Sequence, residues 1–220
     1  MKVLALSGSP RAKGNSVIIL EKFLEGAKAG GASVDILVTD DLKIDSCQGC
    51  LRCNILKRCS LRDDEWVRIS RLIEDSDILV FATPVYFHHF TSSLKRVLDR
   101  FRSFFNIKIT NRELIHTPWK EWKKEIVLIA TMGSPDNSEA APLVDLMNYM
   151  IGIVGDGNNL HTLLGTGLAV SKQISMKIDE LKNLYKKLGL REESAESDLE
   201  KNRRLLLESF KLGEKLAERL

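Results

Sequence analysis

Short apolar runs alternate along the chain with longer stretches in which apolar residues recur every three or four positions. The runs Lys2–Leu6, Ser33–Val38, Ile78–Ala82, Ile126–Thr131 and Leu160–Gly165 predict five strands. Near-continuous apolar character is what a strand covered on both faces requires. A helical period predicts a helix over about 16–29, where Ile19, Leu20, Phe23, Leu24 and Ala27 share a face. Further helices are predicted near 64–75, over about 92–104 with Leu94, Val97, Leu98 and Phe101 on one side, and near 140–153. Two more, about 175–188 and 197–220, close the chain. The last carries Leu205, Phe210, Leu212, Leu216 and Leu220, an apolar face that packing on the sheet or on another subunit explains. This alternation predicts an α/β fold, a doubly wound five-stranded parallel sheet with helices on both faces. Such sheets bind ligands beyond the carboxyl ends of their strands, which singles out the loops 7–16, 83–91 and 131–139.

A length of 220 residues with 44% hydrophobic content fits one domain over 1–220. The stretch 103–125 is long for a helix-to-strand connection and reads as an insertion. Its Phe104, Phe105, Trp119 and Trp122 either pack on the protein itself, form a subunit contact, or make a lid over a substrate pocket. Residues 171–220 form a helical extension. The net charge of +3 is small and scattered, which argues against a nucleic-acid partner. No apolar run approaches the roughly 18 residues of a membrane helix. The apolar start stops at Ser7-Gly8-Ser9-Pro10-Arg11, too early for a signal peptide, so the expected location is cytoplasmic.

The first of the three loops leaves a buried strand and enters a helix, where free N–H groups and the positive helix end favour an anion. Gly8 and Gly14 permit close backbone approach. Ser9, Asn15 and Ser16 offer donors, and Arg11 and Lys13 offer charge. The spacing excludes a P-loop, because Asn15 stands where that motif needs lysine, and the Rossmann glycine pattern is absent. The sequence G-S-P-R-x-x-G-N-S resembles the FMN-phosphate loop of the NADPH-dependent FMN reductase family of flavodoxin-like proteins. The second loop, Thr83-Pro84-Val85-Tyr86-Phe87, is similar to the segment that lines the isoalloxazine ring in that family. Pro84 stiffens the turn and holds Thr83 extended. The resemblance implies that Thr131, Met132 and Gly133 of the third loop meet the other edge of the flavin. It also implies FMN as cofactor and favours the flavodoxin strand order 2-1-3-4-5. The chain departs from the family at His88-His89, where Gly-Ser is common. A histidine pair needs further ligands to hold a metal, and the sequence places none. Thr91-Ser92-Ser93 reads as a helix cap.

All four cysteines fall between 47 and 59, as Cys47-x2-Cys50-x2-Cys53-x5-Cys59. A reducing cytoplasm favours a metal or redox site over disulfides. The triplet can wrap three thiolates around one cubic cluster, and the fourth returns after a short excursion. A four-cysteine zinc site and a dithiol pair of Cys47 and Cys50 are the rivals. The flanking Arg52, Lys57, Arg58 and Arg62 either stabilise an anionic centre or form a solvated charged loop. The motif resembles that of the iron–sulfur flavoproteins, a branch of the same family. That resemblance implies a [4Fe-4S] cluster beside FMN and a homodimer or homotetramer in which the cluster of one subunit approaches the flavin of another. It implies an oxidoreductase that links a one-electron carrier such as ferredoxin, or NAD(P)H, to a small-molecule acceptor such as a quinone, an oxygen species or a flavin. The alternative is an NAD(P)H-dependent FMN or quinone reductase without a cluster. No side chain is assigned a catalytic role, because flavin and cluster carry the chemistry.

Overall fold

Successive side chains of a strand point to opposite faces of its sheet. In β1 (Lys2–Ser7), Leu4 and Leu6 enter one core while Val3 and Ala5 enter another. The same division holds in β3 (Ile78–Pro84), with Leu79 and Phe81 against Ile78, Val80 and Ala82. It recurs in β6 (Glu125–Thr131), with Ile126, Leu128 and Ala130 against Val127 and Ile129. This double burial explains the unbroken apolar runs. The computed structural model describes residues 1–61 and 63–218. With β2 (Ser33–Val38) and β7 (Asn159–Gly165) at the edges, the sheet is fully parallel in the order β2-β1-β3-β6-β7. That is the expected flavodoxin-like order 2-1-3-4-5, with the hairpin of the insertion displacing the numbering of the last two strands.

One face is covered by α3 (Trp66–Asp75), α4 (Ser92–Arg100) and α5 (Ala141–Val154), which contribute Trp66, Ile69, Leu94, Val97, Leu143 and Met147. The other is covered by α1 (Asn15–Ala29) and α7 (Ser194–Glu218), with Ile19, Leu20, Phe23, Leu205 and Leu216. Each such fully buried side chain stabilises the fold by roughly 1.5–3 kcal/mol. The α1–α7 contact is closer than side-chain packing allows. A Cβ on Gly26 would lie 1.9 Å from the Phe210 carbonyl oxygen, and one on Gly213 would lie 2.0 Å from that of Phe23. Ser209 Oγ donates to the Ile19 carbonyl, 2.8 Å away, inside this contact. The C-terminal extension, which also holds α6 (Ile178–Leu188), therefore packs on the sheet layer through α7. Leu220 of the predicted apolar face lies outside the described residues.

The insertion differs from the sequence reading, which assigned it no strands. The predicted helix over 92–104 ends at Arg100, and a 3-10 turn spans Phe101–Phe104. An antiparallel hairpin of β4 (Phe105–Ile109) and β5 (Leu114–Pro118) follows. Phe104, Phe105 and Trp122 are buried, and the Phe104 and Trp122 rings meet edge to face at 5.2 Å. These aromatics thus pack on the protein itself. At the amino end of the sheet, Lys124 Nζ donates to the carbonyls of Glu74, at 3.0 Å, and Ser76. Burial brings the Lys124 pKa down to about 8. Among the described residues, no helix is long and apolar enough to cross a membrane.

Candidate functional site

The loop from β1 to α1 is held from below. Gly8 N–H donates to the Ala82 carbonyl at 2.7 Å, and Thr91 Oγ1 donates to the Gly8 carbonyl at 2.8 Å. A Cβ on Gly8 would lie 2.7 Å from Thr91 Oγ1 and 2.8 Å from Leu94 Cβ, so glycine is required. Thr91 and Ser93 thus tie loops together, since Ser93 accepts from Thr39 Oγ1; Thr91 stands at the N-cap of α4, as the sequence suggested, but its side chain makes no cap hydrogen bond among the described residues. Ser9 Oγ accepts from the Arg11 N–H and donates to its carbonyl, which closes the loop on itself. Gly14 occupies the N-cap of α1 with no side-chain cap, leaving the first-turn N–H groups without a side-chain partner at the helix's positive end.

A cleft of about 490 Å³ opens at the carboxyl ends of β1, β3, β6 and β7. It gathers Ser9, Arg11, Asn15 and Ser16 from the first loop, Pro84, Val85 and Tyr86 from the second, and Thr131, Met132 and Gly133 from the third. Gly14, Leu168 and Ala169 complete its lining. Backbone joins the second loop to the third and the third to the end of β7 and the segment beyond it: Val85 N–H donates to the Thr131 carbonyl, Met132 N–H to that of Gly165, and Leu168 N–H to that of Met132, all at 2.8–2.9 Å. Leu168 and Ala169 were missed in the sequence, although Gly165 and Gly167 after the fifth strand mark a fourth loop at the same sheet edge. Lys13, Thr83 and Phe87 stand outside the lining. Thr83 is fully buried, with Oγ1 donating to the Pro84 carbonyl. Phe87 is wholly exposed at the tip of a tight turn closed by paired Tyr86 and His89 backbone bonds. Phe87 and His88 both have positive φ, 48° and 58°, a conformation that costs non-glycine residues free energy. His89 Nδ1 accepts from the Phe90 N–H, so this histidine is engaged locally.

Asn15 has a different role from the exposed donor suggested by the loop pattern. Its side chain is 6% exposed. Nδ2 donates to the carbonyls of Leu168 and Val170, and Oδ1 accepts from the Ile174 N–H. The residue therefore locks the loop after β7 onto the start of α1. Arg11 remains exposed at the mouth of the cleft, as expected.

The cysteine segment leaves the edge strand β2 and has almost no regular structure. Gly49, Leu51 and Lys57 turn it through positive φ, and α2 (Cys53–Leu56) is a single helical turn. All four cysteines line one small pocket, together with Ser60, Arg100, Arg102 and Ser103 among others. Cys53 is buried, Cys59 half-buried, and Cys47 and Cys50 are exposed. Burial pushes the Cys53 thiol up, against the pull of Arg102. Cys50 Sγ lies 3.4 Å from Ser60 Oγ, and that hydrogen bond, aided by the Arg52 backbone, lowers its pKa. Among the described residues, no group of three or more His, Cys, Asp or Glu side chains is already drawn together as a metal-ligand set. The donor chemistry nevertheless fits an anionic metal centre. Four thiols share one pocket, and its buried Arg100 has an Nε without a hydrogen-bond partner among the described residues.

Of the cations named in the sequence, Arg52 acts on Cys50, while Arg62 lies outside the described residues. The cations that line the pocket, buried Arg100 and half-buried Arg102, come instead from the end of α4 and the turn beyond it. Arg100 pairs with Asp64 and donates to the Asp45 carbonyl at 2.7 Å. Arg102 donates to the Phe105 carbonyl and to Asn54 Oδ1, both at 2.9 Å. Asn54 in turn exchanges two bonds with the Ile107 backbone, fastening the hairpin to α2.

The family model for NADPH-dependent FMN reductase matches residues 1–162. An iron–sulfur flavoprotein of Archaeoglobus fulgidus is 34% identical over 114 residues, 51% of this chain and 55% of that protein. One from Methanocaldococcus jannaschii is 30% identical over 102 residues, 46% of this chain and 52% of the relative. The chain thus spans about half the length of these curated relatives. The structure of an NAD(P)H:quinone oxidoreductase from Methanothermobacter marburgensis superposes with a TM-score of 0.65 over 98% of both chains at 17% identity, a likeness of fold. The chain belongs to the NADPH-dependent FMN reductase family.

Proposed function

We propose that this protein is an FMN-dependent oxidoreductase that also carries a [4Fe-4S] cluster on Cys47, Cys50, Cys53 and Cys59. The observation that carries the reading is the presence of two unlike sites on one chain: a strand-end cleft with an uncapped helix start, and a single pocket lined by four thiols. Bound FMN supplies a ring that exchanges two electrons, and a bound cluster passes them singly. The chain's own residues bind and orient. The first-turn N–H groups of α1, Ser9, Ser16 and Arg11 hold a phosphate. The backbone of 84–86 and 131–133 addresses the polar edge of the ring, while Val85, Met132, Leu168 and Ala169 give it an apolar bed. Asn15 acts through the loop it locks. Tyr86 lines the cleft and Phe87 projects from the same turn, where an aromatic substrate would approach.

In this reading a one-electron carrier such as ferredoxin, or NAD(P)H, exchanges electrons with a quinone, an oxygen species or a flavin. Self-association as a dimer or tetramer belongs to it, supported by exposed Ile55, Ile109 and Leu114 around the cysteine segment and the hairpin. A second reading, an NAD(P)H-dependent FMN or quinone reductase without a cluster, is favoured by the open spacing of the thiols.

The test is the content of FMN, iron, acid-labile sulfide and zinc per chain after anaerobic purification and reconstitution. FMN with equal iron and sulfide is expected. FMN without iron or sulfide transfers the assignment to the second reading, and FAD in place of FMN overturns both.

A further inference from the structure

The sequence points to the charges that flank the cysteines, but the cation buried in their pocket is Arg100, at the end of α4. Its side chain is fully buried, at 0% exposure, and its partner Asp64 is 6% exposed. Nη1 donates to Asp64 Oδ2 at 2.6 Å and Nη2 to Asp64 Oδ1 at 3.3 Å, a fork on one carboxylate. Asp64 is fixed in turn by the N–H groups of Asp45 and Trp66, each at 3.0 Å. The guanidinium carbon lies 5.2 Å from the centre of the Trp66 ring. Every constraint on this side chain except the cysteine pocket itself is thus satisfied.

The pair is neutral as a whole but oriented. Arg100 lines the cysteine pocket and Asp64 does not. The Nε of Arg100 is buried without a partner among the described residues. A buried donor left unpaired is unfavourable, and a sulfur or other anionic acceptor in this pocket would relieve it.

We infer that Arg100, aimed by Asp64, is a positioning residue that presents the positive end of a buried ion pair to the four-cysteine site and holds the potential of the centre bound there above the value the thiolates alone would set. The inference rests on the cluster reading. Its physical basis is that added negative charge on reduction is favoured by a nearby fixed cation and by donors to sulfur.

The test uses anaerobically prepared holoprotein and three variants, Arg100→Met, Asp64→Asn and Arg100→Lys. Cluster and flavin are titrated together, so that the flavin midpoint serves as an internal reference. Arg100→Met lowers the cluster midpoint and Asp64→Asn raises it, because the first removes the cation and the second its counter-charge. Each shift amounts to at least a tenfold change in the ratio of reduced to oxidised cluster at fixed potential, about 59 mV for one electron. Arg100→Lys restores the parent midpoint. A purely structural pair predicts loss of iron in all three without opposite displacements. If Arg100→Met does not fold, Asp64→Asn alone decides: an unchanged or lowered midpoint overturns the role. A parent protein without iron and sulfide overturns the cluster reading and this role with it, whereas a loaded parent whose midpoint no variant moves overturns the role of Arg100 only.

Discussion

The strand-end cleft is built chiefly from backbone, and the cysteine pocket chiefly from side chains. The cleft stands on four strands whose loops are joined by main-chain hydrogen bonds, so its shape follows from the sheet. The cysteine pocket follows an edge strand that is largely exposed, and it is shaped by Arg100, Arg102, Asp64 and Asn54. A cleft of the first kind tolerates the loss of one side chain if the backbone holds. A pocket of the second kind does not, because each side chain has a separate task.

Four predictions press on that contrast. The largest effect is expected from replacing Cys47, Cys50, Cys53 or Cys59 singly by alanine. Each variant loses its sulfide or converts to a three-iron form, yet keeps FMN, since the thiols belong to a different part of the chain. Parallel loss of flavin in these variants would show that the two sites are one cooperative unit. Next is Asn15→Ala, which removes three buried hydrogen bonds and should cost roughly 2–4 kcal/mol in the flavin-free protein. Denaturant titration measures this; an unaltered midpoint would return Asn15 to the role of a simple ligand donor.

Lys124 lies at the amino end of the sheet and tests whether stability can change without touching either site. The unfolded chain holds this proton up to about pH 10.4, the folded chain only to about 8. Between those values the unfolded state binds more protons, so stability rises with pH through that window. Lys124→Met should flatten the rise by roughly 2 kcal/mol, with FMN and iron contents unchanged. The smallest effect is expected from Arg11→Ala. Its exposed side chain should contribute about tenfold to FMN affinity, close to 1.4 kcal/mol, without altering thermal stability. Fluorescence titration and calorimetry on the same sample separate the two quantities.

The contrast also marks what could be read from the sequence. Strands covered on both faces leave long apolar runs, so the sheet and the three loops were legible, while the strand order came from the resemblance of those loops to a known family. Boundaries drifted where the last turn of a helix tightens, as after Arg100, and the hairpin of 105–118 was hidden inside a stretch read only by its aromatics. In the cleft, Ser9 and Arg11 of the first loop and Val85 of the second line one opening. Asn15 shares the motif but bonds to a loop about 155 residues away, which local spacing cannot express. The cysteines announced themselves by spacing. Arg100 did not, because it enters their pocket from the end of α4, held there by Asp64 and Trp66, and that meeting exists only once α3 and α4 share a face of the sheet.

The touching backbones of α1 and α7 have a consequence for synthesis. Gly26 is made long before Gly213, which closes on the same contact. At the usual elongation rate of about 5–20 residues per second, α1 waits on the order of ten to forty seconds for its cover. During that interval the faces of Phe23 and Ile19 are open to solvent or to a chaperone. A cofactor that binds early at the start of α1 would therefore meet a helix anchored by the sheet on one side and still bare on the other.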